Sequence, residues 1–225
     1  MGTVVASAII ADARRLLQDE SNVVQRWTDA VLLAALNEAQ LMVATLQPTA
    51  SAATAVVTLD AKARQSLPAD ALSFLRVTTN LANDGVTPTV VVTPATVEEL
   101  DMTNPLWRTA MPGVNVVLRA APDPSDVYAY YVSPPVSGGK IELQYAKVPV
   151  TIATTSATIT LHDRFRTALT HFVVYKAFEQ DGEAPANQSL AASHQQKFFA
   201  LVMGADPERT RGEATPKKTL DQGAR

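Results

Sequence analysis

The 225-residue sequence contains no cysteine. Disulfide bonds, thiolate metal ligands and cysteine nucleophiles are therefore excluded, and the redox compartment stays open. Charge is sparse and nearly balanced, with 19 Lys and Arg against 22 Asp and Glu and a formal net charge of -3. A protein that grips nucleic acid by its phosphates needs clustered Lys and Arg, so the composition argues against that class.

Targeting and catalytic motifs are also missing. Residues 1–17 are amphipathic, whereas a signal peptide has a continuous apolar segment. We also expect no apolar run in the sequence to be long enough to span a bilayer. We therefore expect synthesis and use in the cytosol, with no membrane partner. No Gly-x-Ser-x-Gly elbow occurs, and Ser137-Gly138-Gly139-Lys140 lacks the upstream Gly and the Lys-Ser/Thr ending of a phosphate loop. We expect no enzyme activity, no cofactor and no metal.

Hydrophobic spacing predicts helices at both ends of the chain. In residues 3–47, apolar residues recur at helical spacing, with Thr3 as the first N-cap. Thr28 is predicted to cap a second helix, where Asp29 is favoured by the positive helix end. Pro48 ends this helix, because the residue before a proline disfavours the helical region.

The middle region, residues 50–156, is rich in Val, Thr, Pro and Gly. Its short apolar runs predict strands at residues 55–59, 86–93, 114–118, 127–132, 141–145 and 158–161. The turn residues Ser137-Gly138-Gly139 predict a hairpin over 127–145. Thr93 and Pro94 are the predicted cap and first residue of a short helix.

Residues 157–204 return to helix, with His162 or Asp163 as the predicted cap and Gly204 as the last residue. Because neither terminal helix pair buries its faces alone, the two pairs are expected to pack together. The predicted fold class is α+β. A helical bundle, built from residues 1–49 and 157–204, carries a β-rich, sandwich-like insertion at 50–156 and an extended tail at 205–225.

Histidines and acidic residues are the first candidates for a catalytic or metal-binding site. His162 beside Asp163 could form a general base and its orienter, but a pair of capping residues is the simpler interpretation. His171 and His194 could face each other and bind a metal, yet no carboxylate or cysteine stands at ligand spacing. Glu98-Glu99-Leu100-Asp101 is better explained as a solvated helix start than as a cation site.

Aromatic residues cluster in one predicted strand. Alternation places Tyr128 and Tyr130 on one face and Tyr131 on the other, which favours a packed strand over a platform for stacking sugars or bases. The tail at 205–225 carries five basic and four acidic residues, so it is neither a polybasic nor an acidic arm. Its composition leaves plain disorder and docking on a partner equally open.

Several short motifs follow one another in a recognisable order between residues 27 and 201. They are Trp27-Thr28-Asp29, Gln65-Ser66-Leu67-Pro68-Ala69-Asp70, Asn104-Pro105-Leu106-Trp107, Asp123-Pro124, Tyr131-Val132-Ser133-Pro134-Pro135, Ile141-Glu142-Leu143-Gln144-Tyr145-Ala146-Lys147-Val148-Pro149, Ala184-Pro185-Ala186-Asn187 and the stretch from His194 to Phe198. In their order and spacing, the chain resembles the head-to-tail adaptor (connector) proteins of tailed bacteriophages.

This resemblance implies a structural virion protein at the head-tail junction, made in the host cytoplasm. It implies a ring of twelve copies that joins the portal protein to tail or nozzle proteins and continues the DNA channel, with double-stranded DNA passing through without specific binding. It also implies docking of the tail on the portal, for which the candidate residues are Pro207, Arg209, Arg211, Pro216, Lys217, Lys218 and Leu220. Trp107 and Tyr131 are candidate contacts with other subunits or with the tail structure.

Two alternatives stay open at this point. The tyrosine-rich hairpin could belong to a carbohydrate- or receptor-binding β module of a tail component, which would expose aromatic rings on one strand face. His162 and Asp163 could instead serve a hydrolase, in which case replacing His162 would abolish turnover.

Overall fold

The computed structural model describes residues 2–20, 25–109, 116–181 and 185–204. In this part of the chain the helices are α1 (Ala6–Leu17), α2 (Asp29–Leu46), α3 (Val97–Thr103), α4 (Arg166–Gln180) and α5 (Pro185–Gly204), and two 3-10 turns span Pro48–Ser51 and Asp163–Phe165. The strands are β1 (Ala52–Thr58), β2 (Arg64–Ser66), β3 (Ala71–Leu81), β4 (Pro88–Val91), β5 (Thr93–Pro94), β6 (Arg119–Pro122), β7 (Ala129–Ser133) and β8 (Lys140–Lys147). The α+β fold class is confirmed.

The start of α1 differs from the prediction that Thr3 caps it. The N-cap is Val5, whose side chain carries no hydrogen-bond acceptor. The first amides of the helix bond elsewhere, from Ala6 N to Ala157 O at 2.9 Å and from Ser7 N to Thr155 O at 2.8 Å. The segment before α4 therefore supplies the acceptors that a cap would have supplied.

A buried arginine connects α1 to the start of α2. The guanidinium of Arg14 donates to Asp19 Oδ2 at 2.6 Å, to the Trp27 carbonyl at 2.9 Å and to Asp29 Oδ1 at 2.7 Å. Asp19 also accepts a hydrogen bond from the backbone amide of Arg26 at 2.9 Å. The Arg14 and Asp19 side chains are 9% and 6% exposed, so the ion pair lies in the interior and fixes the turn between the two helices.

The second helix begins and ends as predicted. Thr28 Oγ1 accepts a hydrogen bond from Val31 N, and Asp29 stands in the first turn. The helix stops at Leu46, and Pro48 opens a 3-10 turn. Contrary to the sequence expectation, α2 is long and apolar enough to span a membrane, with a mean hydropathy of 1.3. In the folded chain, however, 44% of it is buried, and it belongs to the helical core.

Helices from both ends of the chain share one core. Residues of α1 and α2 pack with those of α4 and α5, and Ile152, Ile159 and Leu161 join them from the connecting segment. The indole Nε1 of Trp27 donates to the carbonyl of Ala177 at 3.2 Å, and Phe172 packs edge-on against Phe198 at 4.9 Å. The first of these contacts joins the start of α2 to α4, and the second joins α4 to α5.

The β region consists of two four-stranded sheets. The first has the order β1-β8-β3-β4 and is antiparallel throughout. The second has the order β2-β7-β6-β5, with only β5 and β6 parallel among its described pairs. A second core lies between the sheets and includes residues of β3, β6, β7 and β8. Phe74 stacks on Tyr130 across it, with ring centroids 5.1 Å apart.

The predicted hairpin over 127–145 is wrong. β7 and β8 follow each other in sequence but lie in different sheets. Pro134 and Pro135 carry no N–H for a continuing ladder, so the chain crosses from one sheet to the other. The turn that was assigned to the hairpin instead meets the end of β1, where Leu59 N donates to Gly139 O at 2.8 Å.

Other strands also differ from those predicted from the sequence. β2 and the 11-residue β3 were not predicted, although β3 pairs with both β8 and β4. Residues 158–161 form no strand, and Thr158 makes an isolated bridge to Val5. Of the predicted strand at 114–118, residues 114 and 115 lie outside the described part, and the strand in this region begins at Arg119.

The short helix α3 begins three residues later than predicted. Thr93 and Pro94 form β5, whereas Thr96 caps the helix. Thr96 Oγ1 accepts from Glu99 N at 3.2 Å, and Glu99 Oε2 accepts from Thr96 N at 2.9 Å. This reciprocal capping box outcompetes the proline at 94, because it satisfies two free amides at once.

Two amide side chains of α2 hold the chain where it returns from the sheets. Asn37 bonds both backbone groups of Ile152, at 3.0 Å and 2.8 Å. Gln40 Oε1 accepts from the amide and the hydroxyl of Thr160, each at 3.0 Å. The β region is thus anchored to α2 at both of its ends, since it also leaves the helices directly after α2.

Candidate assembly surfaces

His162 and Asp163 both make structural hydrogen bonds at the start of α4. His162 Nδ1 accepts from Arg164 N at 3.2 Å, which confirms a capping role at the start of the 3-10 turn. Asp163 accepts from the amide and the hydroxyl of Thr3 at 2.7 Å and 2.6 Å. The Thr3 hydroxyl, followed by its amide, holds the pKa of Asp163 below its usual value. The carboxylate therefore fastens the N-terminal segment to the base of α4.

The two helical histidines do face each other, as considered from the sequence. Nδ1 of His171 on α4 lies 3.0 Å from Nδ1 of His194 on α5. Burial, followed by His171 and Lys197, lowers the pKa of His194 to about 4. Burial and Lys197 likewise lower the pKa of His171. Within the described residues no group of three or more His, Asp or Glu side chains could hold a metal ion. The pair is a contact between α4 and α5.

Trp107, a candidate contact residue, is buried in the isolated subunit. It is 1% exposed and packs edge-on against Tyr131 with centroids 5.2 Å apart. Its Nε1 donates to Asp101 at 2.8 Å, and the Arg108 guanidinium lies over the rings of both Trp107 and Tyr131. That Trp107 and Tyr131 contact another protein stays a prediction. Because Trp107 is buried, it could contribute to such an interface only by supporting the exposed residues around it.

The tyrosines of β7 divide differently from the predicted alternation. Tyr130 is fully buried, as expected of a packed strand. Tyr128 is 57% exposed and precedes β7, so its assignment to the core is wrong. Burial raises the pKa of Tyr130, and its hydroxyl has no hydrogen-bond partner among the described residues. A stacking platform of parallel exposed rings is not formed here.

An exposed apolar strip on α5 is the strongest assembly feature that the sequence reasoning missed. Ala191, His194, Phe198 and Val202 form the buried stripe of this helix. Leu190 and Leu201 lie along one flank of this stripe and Phe199 and Met203 along the other, and these four side chains are between 38% and 44% exposed. One of the 20 residues is lysine and none is acidic. A helix with so little charge on its outer side is typical of a surface that another protein covers.

A second apolar patch lies at the end of α3. Met102 is 87% exposed and Leu106 is 70% exposed. Met102 also lines a shallow cleft of about 420 Å³ with Thr93, Glu99 and Arg119. This patch belongs to the β region, whereas the α5 strip lies on a helix of the bundle, so the two surfaces are on different parts of the subunit.

Most basic side chains are neutralised within the subunit. Nine of the fourteen Lys and Arg residues in the described part form ion pairs with carboxylates, namely Arg14, Arg15, Arg26, Lys62, Arg64, Arg108, Lys147, Arg166 and Lys176. Arg64, for example, meets Asp123 at 2.8 Å and Asp126 at 2.7 Å. Such pairing leaves little uncompensated positive charge for phosphates.

The candidate docking residues of the tail lie outside the described residues. These are Pro207, Arg209, Arg211, Pro216, Lys217, Lys218 and Leu220. Their docking role stays a prediction from the sequence. The described chain ends at Gly204, directly after the exposed apolar strip of α5.

Comparison with known proteins identifies a family. Residues 6–218 match the family model described as SU10 adaptor protein. No curated protein matches the sequence. The matched range takes in both helix pairs, both sheets and most of the tail.

Proposed function

The chain belongs to the SU10 adaptor protein family, a family of phage structural proteins, and on this premise we propose how it assembles. It forms a ring of twelve copies between the portal protein and the tail or nozzle proteins, at the head-tail junction of the virion. The ring continues the DNA channel, and double-stranded DNA passes through it without specific binding. The subunit is made in the host cytoplasm, needs no membrane and carries out no catalysis.

The observation that carries this proposal is the family match over 213 residues, from 6 to 218. Ring formation is supported by the unlike exposed patches on α5 and at the end of α3. A ring requires heterologous contacts, in which one surface of a subunit meets a different surface of the next. Two apolar patches on separate parts of the subunit suit such contacts, whereas a single self-complementary patch would favour a closed dimer.

The channel role is supported by the distribution of charge. DNA must slide through a conduit, so strong phosphate binding would hinder it. The formal net charge of -3 and the internal pairing of most basic side chains fit a wall that repels rather than retains the duplex.

In this proposal each region predicted from the sequence has its own role. Residues 1–49 and 157–204 form the bundle, residues 50–156 form the β insertion, and residues 205–225 dock on the portal. The alternative of a carbohydrate- or receptor-binding module finds less support, because its proposed tyrosine platform has one ring exposed and one fully buried.

The test is reconstitution of the full chain with the portal protein of the same phage. Mass measurement and electron microscopy should show a ring of subunits bound to the portal. A variant that ends at Gly204 should remain folded by circular dichroism but fail to join the portal. A full chain that stays monomeric in the presence of the portal would overturn the adaptor proposal. Normal assembly of the truncated chain would overturn the role of the tail alone.

A further inference from the structure

The edge formed by β1 is unusually open to pairing. β1 is seven residues long, contains no proline and runs in unbroken register with β8. Leu59 N donates to Gly139 O, so the neighbouring pair of Thr58 and Lys140 is of the non-hydrogen-bonded type. The backbone groups of Thr58, and by alternation those of Val56 and Thr54, therefore point away from β8. Ala52, at the start of β1, instead donates its N–H to Thr49 O. Among the described residues no backbone partner meets the groups of Thr54, Val56 and Thr58 on that side.

The opposite edge of the same sheet, β4, is open as well. Val92 N donates to Thr78 O at 3.2 Å, so the N–H and C=O of Val91 point away from β3. All four residues of β4 are exposed, and Val91 is 75% exposed. The described residues supply no backbone partner to the outer side of this strand either.

Neither edge carries a charged side chain. β1 also lacks a proline and a register shift, whereas β4 is four residues long, begins with Pro88 and pairs with β3 through a register shift. Residues 50–59 and 85–97 contain no charged side chain. Native proteins normally blunt free edges with short strands, prolines, lysines, inward charges or bulges, because unpaired N–H and C=O groups recruit other strands. Two long uncharged stretches at the two edges of one sheet indicate that both edges are covered in the assembled protein.

The directions of the strands identify the occupant. In the order β1-β8-β3-β4 every neighbouring pair is antiparallel, so β1 and β4 run in opposite directions. A second copy placed beside the first in the same orientation brings its β4 antiparallel to β1. The row formed by Val56, Glu142, Thr79 and Val91 crosses the whole sheet on one face, so that face continues from one copy to the next.

We propose that β1 of each subunit pairs antiparallel with β4 of the next subunit, which joins the sheets into a continuous belt around the ring. The proposal rests on the ring proposed above and identifies the backbone contact that links its subunits. It is a heterologous interface, as ring closure requires, and it follows the strand-addition mode of recognition.

Cysteine cross-linking tests the belt, because the natural chain has no thiols of its own. Val56→Cys and Val91→Cys are introduced together in the full chain, assembled with the portal and treated with a short thiol-to-thiol cross-linker. We expect a ladder of covalent dimers, trimers and higher multimers under denaturing conditions. Each single variant should remain monomeric, because neither edge meets its own copy. If the pairing of β1 with β4 is shifted by two residues in either direction, Val91 faces Thr54 or Thr58 instead of Val56. Thr54→Cys and Thr58→Cys, each combined with Val91→Cys, test these two registers.

Two outcomes overturn the belt while leaving the ring intact. One is a ring, seen by microscopy, in which none of the three cysteine pairs cross-links. The other is dimer formation by Val56→Cys alone, which would mean that two β1 edges meet. Absence of any ring with the portal would instead overturn the adaptor proposal, and the belt with it.

A proline variant gives an independent readout. Thr54→Pro removes an outward N–H and leaves the hydrogen bonds between β1 and β8 in place. It should abolish ring assembly with the portal, whereas Thr54→Ala should assemble as the natural chain does. Thermal unfolding of both variants checks that the subunit is folded. A Thr54→Pro chain that is folded and still forms rings would contradict the proposal.

Discussion

Replacing Arg14 with alanine should destabilise the subunit far more than replacing its neighbour Arg15. Arg14→Ala removes the cation from Asp19, whose side chain is 6% exposed. Breaking a buried ion pair from one side typically costs about 3–5 kcal/mol, because a charge is left without its partner. Asp19 keeps hydrogen bonds from the amides of Arg26 and Trp27 at 2.9 and 3.4 Å, so we expect the lower end, about 3 kcal/mol.

Arg15 is the matched control. Its side chain is 65% exposed and pairs with Asp12 at 3.4 Å and Glu20 at 3.7 Å. Exposed pairs of this kind contribute below about 1 kcal/mol. Urea unfolding followed by circular dichroism measures both variants. In a chain of this length, 3 kcal/mol lowers Tm by about 6–12 °C. Equal unfolding free energies for the two variants would refute a stabilising role of the buried network.

Three further predictions address other sites. The pKa of His194 is about 4 in the folded chain and 6.5 ordinarily. Because the unfolded chain binds a proton more readily between these two values, the free energy of unfolding should fall as the pH drops from about 6.5 to about 4. Urea unfolding at several pH values should show this fall, and the His194→Gln variant should show a smaller one. Tyr130→Phe should leave stability unchanged or raise it by up to about 1 kcal/mol in urea unfolding, because it removes a buried hydroxyl without a described partner; a clear loss would reveal a hidden partner. Thr28→Ala should cost about 1 kcal/mol by the same assay through loss of the cap on α2, and an unchanged value would make that cap irrelevant.

Local signals in the sequence were sufficient for the boundaries of α2 and insufficient for the start of α1 and for the pairing of strands. Thr28, Asp29 and Pro48 carry the boundaries of α2 in their own chemistry, so the prediction matched the structure. The acceptors for the first amides of α1 come from Thr155 and Ala157, more than 140 residues away. No pattern within residues 1–17 could have indicated them.

The β region shows the same limit. β3 was missed because its buried positions do not alternate, and its register with β8 shifts at bulges. Asn80 sits inside it as a buried amide that bonds the carbonyl of Val90 at 2.9 Å and both backbone groups of Val117 at 2.7 Å. A polar residue in this role resembles a loop residue in sequence. Its function becomes evident once the neighbouring strands are in place.

The candidate surfaces were predicted unevenly for a related reason. Trp107 was a candidate contact through the adaptor resemblance, yet large aromatic residues are also typical of protein cores. The exposed strip of α5 went unnoticed because its residues look like core when read as a list. Which residues of α5 are exposed depends on which side of the helix faces α4. Because apolar residues occur on the buried and the exposed sides alike, the sequence does not tell the two apart.

The distance in sequence between the halves of the helical core has a consequence for synthesis. Trp27 bonds the carbonyl of Ala177, 150 residues later, so α2 cannot complete its packing until α4 has been translated. At about 5–20 residues per second, that interval lasts about 8–30 s. During this time the nascent chain exposes an 18-residue apolar helix with a mean hydropathy of 1.3. The yield of folded subunit in the infected cell should therefore depend on translation rate and on chaperones that shelter α2.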